Sequence, residues 1–176
     1  MAREIFDSQK SASPGEKRAA VRGMFNRIAP TYDLLNRILS FGIDRRWRRA
    51  TIELMHIDEK SVVLDLACGT GDLSAAAAKS GARVVFGVDP SREMLLRAGT
   101  KMRYEITRSY FIEGFGEELP LGSDLCTHAM IAFGIRNVQE RPRAFTAAER
   151  PLPLRAEGAP IVSADLARAG SADRLA

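Results

Sequence analysis

The sequence predicts an α/β fold: a mostly parallel sheet with helices on both faces, preceded by an N-terminal helical cap. Two observations support this prediction. From residue 62 onward, short apolar segments alternate with segments of helical length, which is typical of βαβ units. The first of these segments, Val62–Leu66, is almost entirely apolar, as expected of a strand that is covered on both faces.

The elements follow from hydrophobic periodicity and from cap and turn residues. Residues 1–15 are polar and expected to be loose. Helices are expected at 16–28, 31–40 and 44–55, with Asp44 as the N-cap of the third. The alternating region then predicts strands at 62–66, 83–88, 110–113, 129–133 and 160–164, and helices at 71–79, 92–103 and 141–150. The chain therefore divides into a loose start (1–15), a helical cap (16–57), an α/β core (58–148) and a divergent segment (149–176).

Composition limits the function classes. The chain has 176 residues, a net charge of +4 and 45% hydrophobic residues, typical of one globular domain. This charge is too small to indicate a dedicated nucleic-acid partner. Two cysteines and two histidines without ligand spacing predict no metal site, and a reduced cytoplasmic protein is the default. No segment is apolar for about 18 residues, so no membrane span is expected.

The turn after the first strand carries the strongest functional signal. Gly69 and Gly71 allow a tight backbone and close approach of a ligand. The third glycine of a dinucleotide fingerprint is replaced by Ser74, and the lysine of a P-loop is absent. Asp65, just before the turn, would repel a pyrophosphate and suits a cationic group. Asp89, 20 residues after Gly69, stands where an acidic side chain accepts hydrogen bonds from ribose hydroxyls.

These features together favour a ligand with a ribose, a cationic end and no phosphate, which describes S-adenosylmethionine. Thr70 can offer its hydroxyl to the methionine portion of that ligand. Asp72 is alternatively the cap of the helix that starts there, and Asp89 the cap of helix 92–103. Cys68 is interpreted as a small apolar side chain that fills space, not as a nucleophile.

Several stretches resemble the ubiquinone/menaquinone biosynthesis C-methyltransferase family. They are MFNRIAPTYDLLNRILSFGIDRRWRR, VVLDLACGTGDL, GVDPSREML, FIEGFGEELP and IAFGIRNV, and they lie between residues 22 and 138. The first and last are specific to the family, whereas the glycine turn alone indicates only a class I methyltransferase. The resemblance implies a Rossmann-like core at 58–148 that binds S-adenosylmethionine. It also implies methyl transfer to a ring carbon of a prenylated quinol, in menaquinone or ubiquinone biosynthesis.

The resemblance also implies site residues by position. Cofactor contacts fall on Thr70, Asp89, Phe115, Gly116 and Ala132, beside Asp65, Gly69 and Gly71 of the turn. The family usually has Asp or Asn at position 115 to bind the adenine amino group, and a phenylalanine can only stack on the ring.

Catalysis by such an enzyme needs a proton acceptor for the quinol hydroxyl and a group that stabilises the resulting anion. The candidates are Tyr32, Asp33 and Arg136, with Asn137 to orient the ring. They lie in the two family-specific stretches.

The helical cap leaves two interpretations open. Residues 16–57 either only cover the sheet or form a lid over an apolar pocket for a prenyl tail. RRWRR at 45–49 is either a surface anchor that holds the protein at the inner face of a membrane, or a solvated helix face with Trp47 turned inward.

The C-terminal segment departs most from the family. LRAEGAPIVSADLAR resembles an eroded turn and fifth strand, and the strands expected after it are missing, which predicts a truncated or divergent chain. Three functions therefore stay open: a quinol C-methyltransferase, an inactive remnant or partner-binding fragment, and a methyltransferase for another small substrate. FGIRNV favours the first over the third.

Overall fold

The computed structural model describes residues 13–41, 43–122 and 124–132 and the backbone of a strand at Ile161–Ser163. Within these ranges the N-terminal helices are α1 (Pro14–Ile28), α2 (Tyr32–Leu39) and α3 (Ile43–Met55), with a 3-10 turn at Ala29–Thr31 between the first two. The alternating region contains β1 (Val62–Leu66), α4 (Asp72–Lys79), β2 (Val84–Asp89), α5 (Arg92–Met102), β3 (Arg108–Glu113), β4 (His128–Ile131) and β5 (Ile161–Ser163).

The strands form one sheet in the order β3-β2-β1-β4-β5, and every neighbouring pair is parallel. The predicted parallel α/β class is therefore confirmed. The chain moves outward from β1 to β2 and β3 and then returns to place β4 on the other side of β1. Crevices for ligands form at such a reversal, outside the carboxyl ends of the strands. At this edge Leu66 pairs with Val88 on one side and with Ile131 on the other.

The described helices of the core pack on one face of the sheet. Met55 of α3, Leu73 of α4 and Met102 of α5 pack there with Val63, Ala77, Ala78, Ala82, Val85 and Met130. On the opposite face the loop between β3 and β4 supplies Leu119 and Cys126, which pack on Leu64 and the other inward side chains of β1 and β4. The helix predicted at 141–150 lies outside the described residues, so a helix on this second face stays a prediction.

Two helices begin earlier than the sequence predicted. Helix α1 begins at Pro14, because Ser13 and Glu16 form a capping box: the Ser13 N–H donates to Glu16 Oε2 (2.7 Å) and the Glu16 N–H donates to Ser13 Oγ (3.3 Å). Helix α3 begins at Ile43, so the prediction of Asp44 as its N-cap is wrong. Asp44 is buried inside the first turn, where its carboxylate accepts a hydrogen bond from the Ser40 hydroxyl (2.9 Å).

The predicted caps of the two core helices are also wrong. The N-cap of α5 is Ser91, not Asp89, because the Met94 N–H donates to Ser91 Oγ (3.3 Å). The N-cap of α4 is Gly71, and no side chain caps that helix. Asp72 is the first residue of α4, and its carboxylate binds two cations instead. Neither aspartate therefore caps a helix.

Candidate functional site

Two adjoining clefts open at the carboxyl edge of the sheet, on either side of the glycine turn. The larger cleft has a volume of about 790 Å³, counted out to its open mouth, and lies between the turn, the end of β2, the loop after β3 and α1. The smaller cleft, of about 390 Å³, lies between the turn, α2 and α3. Their shared lining residues are Tyr32, Ala67, Gly69 and Ala132. An elongated ligand could therefore occupy both clefts and pass over Gly69.

Asp89 connects the turn to the larger cleft. It lies at the end of β2, is 7% exposed, and lines the larger cleft. The Gly69 N–H donates to its Oδ2 (2.9 Å) and the Ser91 N–H donates to its Oδ1 (2.8 Å). Burial raises the pKa of Asp89, although these two hydrogen bonds oppose the shift. Asp89 thus fixes the backbone of the turn and still presents an acceptor to the cleft, as a ribose would require.

Asp65 provides the corresponding carboxylate of the smaller cleft. It is 1% exposed on β1, and the Ser74 hydroxyl donates to its Oδ2 (2.6 Å). Burial raises its pKa from the usual 3.8 to about 7, against the opposing hydrogen bonds from Ser74. Ser74 occupies the position of the absent third glycine, so the substitution that weakened the dinucleotide prediction supplies the donor for this acid.

The two glycines of the turn differ in what they contribute. Gly69 has φ +54° and lines both clefts, and the close approach of a ligand to it stays a prediction. Gly71 has φ +77° and lines neither cleft. A Cβ at position 71 would lie 2.8 Å from the Cβ of Ala98 on α5. The structure therefore explains Gly71 by helix packing. Cys68 is buried, and burial raises the pKa of its thiol well above the usual value, which disfavours a nucleophilic thiolate.

An ionic network, which the sequence did not predict, fixes Thr70 and Asp33. Lys101 of α5 is its centre: Nζ lies 2.7 Å from Asp33 Oδ2, 2.5 Å from Asp72 Oδ1 and 3.0 Å from Thr70 Oγ1. The Thr70 hydroxyl donates in turn to Asp33 Oδ1 (2.5 Å). Thr70 lines the smaller cleft, but its hydroxyl is already both donor and acceptor in this network.

Arg48 extends the Lys101 network into α3. Its Nη1 lies 2.6 Å from Asp72 Oδ2, and its Nη2 pairs with Asp44 one turn earlier. The side chain is 15% exposed, whereas Arg45, Arg46 and Arg49 of the same RRWRR segment are exposed. The segment therefore has one arginine directed inward and three exposed, and the membrane anchor stays a prediction.

The described catalytic candidates lie beside the smaller cleft. Tyr32 lines both clefts and packs edge-on against Phe25, with ring centroids 6.2 Å apart; burial raises the pKa of its phenol. Burial would also raise the pKa of Asp33, but hydrogen bonds from Lys101 and Thr70 outweigh it and leave the pKa lowered. The Tyr32 phenol therefore lines both clefts, whereas the Asp33 carboxylate is connected to the smaller cleft through the hydroxyl of Thr70. Arg136 and Asn137 lie outside the described residues.

The loop after β3 forms the far end of the larger cleft. Phe115, Gly116 and Glu117 line it together with Val88 and Met94. Arg18 of α1 places its guanidinium 5.1 Å from the centre of the Phe115 ring. Phe115, Gly116 and Ala132 line this cleft, and their role as cofactor contacts stays a prediction. The sequence analysis did not predict Arg18 or Glu117 as site residues. Arg18 lies in α1, about one hundred positions before the loop that it contacts.

An apolar surface lies beside the clefts on the outer side of α2 and the start of α3. Its members are exposed large hydrophobic residues: Leu34, Leu35, Ile38, Leu39, Phe41 and Ile43. The exposed Arg45, Arg46 and Arg49 follow directly in the chain. None of the described helices is both long and apolar enough to cross a bilayer. Among the described residues, no group of three or more His, Cys, Asp or Glu side chains is arranged to hold a metal ion.

Comparison with known proteins identifies the family of this chain. A model of the ubiE/COQ5 methyltransferase family matches residues 12–160. The chain belongs to this family. The ubiquinone/menaquinone biosynthesis C-methyltransferase UbiE of Syntrophotalea carbinolica is 47% identical over 145 residues, covering 81% of this chain and 60% of that protein. The demethylmenaquinone methyltransferase of Chlorobaculum tepidum is 38% identical over 139 residues, covering 76% and 55%. This family member thus spans about 60% of the length of the first relative.

Solved structures support the same fold. An S-adenosylmethionine-dependent methyltransferase from Mesorhizobium loti matches with a TM-score of 0.52 at 25% identity, covering 59% of this chain and 47% of that one. An SAM-dependent methyltransferase from Aquifex aeolicus matches with a TM-score of 0.54 at 17% identity, covering 60% and 57%. The family resemblance and the Rossmann-like class I fold predicted from the sequence are therefore confirmed.

Proposed function

We propose that this chain binds S-adenosylmethionine across the two clefts and methylates a ring carbon of a prenylated quinol, as the names of its relatives indicate. One observation carries the proposal: a buried carboxylate lies in each cleft, Asp89 on one side of Gly69 and Asp65 on the other. Asp89 suits the ribose hydroxyls. Asp65 suits the cationic methionine end, because a nearby positive charge favours ionisation of this acid.

The residues that line the larger cleft fit the adenosine part of the cofactor. The larger cleft combines apolar walls (Val88, Met94, Phe115) with carboxylate acceptors, which suits an adenosine without phosphate. When bound, S-adenosylmethionine supplies an electrophilic methyl group. The contribution of the protein is then to hold donor and acceptor in line, and such positioning accounts for a large part of catalysis in group transfer.

For the acceptor, we infer a place beside the smaller cleft, next to Tyr32 and Asp33. The neutral phenol of Tyr32 can donate a hydrogen bond to a quinol oxygen and orient the ring. Asp33 can accept the quinol proton only if it is released from Lys101 and Thr70, so in the present geometry it orients these two residues instead. Arg136 and Asn137 remain proposed for stabilising the anion and orienting the ring.

A direct assay tests the proposal. The purified chain should bind S-adenosylhomocysteine, measured by calorimetry, and transfer labelled methyl from S-adenosylmethionine to a short-chain demethylmenaquinol. Asp89→Ala should weaken binding at least about tenfold, because it removes an acceptor shared with the turn. The exposed Asp58→Ala is the matched control and should leave binding unchanged. Binding without methylation of any quinol would favour an inactive family member, and absence of binding would refute the proposal.

We further propose peripheral membrane contact through the apolar surface of α2 and the outward arginines of α3. A prenylated quinol resides in a bilayer, and exposed apolar side chains flanked by cations suit an anionic lipid surface. Vesicles with an anionic phospholipid should therefore sediment the chain. Reversal of Arg45, Arg46 and Arg49 to Glu should lower that binding by roughly a hundredfold at low salt, at about 1 kcal/mol per basic residue.

The matched control for this vesicle experiment reverses Arg92, Arg97 and Arg103, exposed residues at or just after α5. It changes the net charge equally. Arg48 is left unchanged in both variants because it belongs to the Lys101 network. Equal loss of binding in both triple variants would show a general charge effect and contradict docking through α3.

A further inference from the structure

The far end of the larger cleft contains a buried carboxylate with incomplete partners. Glu117 lines this cleft and its side chain is 4% exposed. The one cation that pairs with it among the described residues is Arg18, whose Nη2 lies 3.9 Å from Oε1, beyond hydrogen-bond distance. No hydrogen bond from another described residue reaches the carboxylate. Burial of a carboxylate with one distant ion-pair partner costs free energy unless a further group donates a hydrogen bond to it.

A second polar group at this end also lacks a partner. The Nε–H of Arg18 is buried and makes no hydrogen bond to the described residues. The remainder of the guanidinium is engaged, since Nη1 lies 3.1 Å from Glu118 Oε1 and the plane lies over Phe115. At this end of the cleft the described residues therefore leave one acceptor, the Glu117 carboxylate, without a hydrogen bond, and one buried donor, the Arg18 Nε–H, without a partner.

The side chains around these two groups favour a ligand with a flat ring. Phe115, Val88 and Met94 form apolar walls on which a base can stack. A carboxylate can only accept hydrogen bonds, so it favours a base with an amino donor and disfavours one with a carbonyl at the same place. The loop geometry supports this position of the carboxylate: the Glu118 N–H donates to the Phe115 carbonyl (3.0 Å), which folds residues 115–118 into a turn at this end of the cleft.

We propose that Glu117 accepts a hydrogen bond from the exocyclic amino group of the cofactor adenine and so determines base specificity. This inference rests on the proposed cofactor. Position 115, where the family usually carries an acid or amide for that amino group, is a phenylalanine here and has no acceptor in its side chain. In this chain Glu117, two residues later, supplies the acceptor, and Phe115 provides the surface on which the base stacks.

Arg18 is the positioning residue of this subsite. It holds Phe115 by a cation–π contact and attracts both Glu117 and Glu118, so α1 contributes directly to base recognition. The neighbouring Glu118 offers a matched control. It shares the ion pair with Arg18, but its side chain is 58% exposed and does not line the cleft.

The test compares two ligands that differ only at the base. Calorimetry with the full chain measures the affinities of S-adenosylhomocysteine and S-inosylhomocysteine, the latter having a carbonyl in place of the amino group. Wild type should prefer the adenosyl ligand by at least about thirtyfold. Glu117→Gln should bring the ratio within about threefold of unity, because an amide can accept from an amino group or donate to a carbonyl. Glu118→Gln should keep the wild-type ratio.

The outcomes distinguish the two proposals. A ratio that stays high in Glu117→Gln, while both affinities fall together, would show a structural role and overturn the assignment. A wild type that binds both ligands equally would overturn it as well, without reliance on any variant. A wild type that binds neither ligand would refute the proposed cofactor, and the assignment of Glu117 with it.

Discussion

Gly71→Ala is expected to lower the free energy of unfolding by about 3 kcal/mol, from left-handed strain of roughly 1–2 kcal/mol and overpacking of about 1–3 kcal/mol. The new Cβ would lie 2.8 Å from the Cβ of Ala98 and 3.1 Å from its Cα. Because the second of these atoms is helix backbone, the contact can be relieved only by moving α5 away from the turn. Urea denaturation followed by circular dichroism measures the loss.

Gly69→Ala is the matched control for this substitution. Gly69 also has positive φ (+54°), but the nearest atom to its new Cβ is Tyr32 Cε1, at 4.0 Å. Gly69→Ala should therefore lower the free energy of unfolding only by the backbone strain, about 1–2 kcal/mol. Ala98→Gly in the Gly71→Ala background should recover part of the loss by removing the closer atom. Equal destabilisation by both alanines would contradict the packing role of Gly71.

Asp65→Asn is expected to be more stable than the wild type at pH 8 and to bind the cofactor more weakly. The pKa of Asp65 is about 7 in the folded chain against 3.8 ordinarily, so between these values the folded state holds more protons than the unfolded state. The stability that this group contributes is therefore full below pH 4 and lost as pH rises through 7. Asparagine does not titrate and can still accept from the Ser74 hydroxyl.

The measurement is the free energy of unfolding of both proteins from pH 4 to 9. The advantage of Asp65→Asn should grow with pH by up to about 1.4 kcal/mol per unit and level off above pH 7. Comparison of the two proteins removes most of the pH dependence that comes from the raised pKa of Asp89 and the lowered pKa of Asp33, because both groups are present in each protein. The exposed Glu59→Gln should show no such trend. A pH-independent difference would mean that Asp65 is ionised throughout the range.

The features that the sequence predicted are local ones. A few neighbouring residues are enough to predict the apolar segment of β1, the glycine turn, and the acids Asp65 and Asp89. The parallel sheet then places both acids at the same edge. The capping box of Ser13 and Glu16 was equally local and could have been recognised from its spacing. The cap predictions failed because a carboxylate beside a helix start can pair with a cation from elsewhere, as Asp72 does.

The features that could not be predicted join distant segments. Lys101 meets residues 29 to 68 positions earlier in the chain, and Arg18 meets a loop about one hundred positions later. Hydrophobic periodicity carries no information about such pairs. The inward direction of Arg48 among four arginines depends likewise on its pairing with Asp72, 24 positions later at the start of α4.

Helix α1 contains no buried residue, although Val21 and Phe25 face the larger cleft. These two side chains therefore lie where a ligand that fills this cleft would cover them. A bound adenosine would bury these residues and become, in effect, a piece of the protein's interior. Association with the ligand and docking of the first helix would then be one cooperative event, and departure of the spent ligand would require that helix to loosen. The lifetime of the complex would be determined by a segment that precedes the first strand.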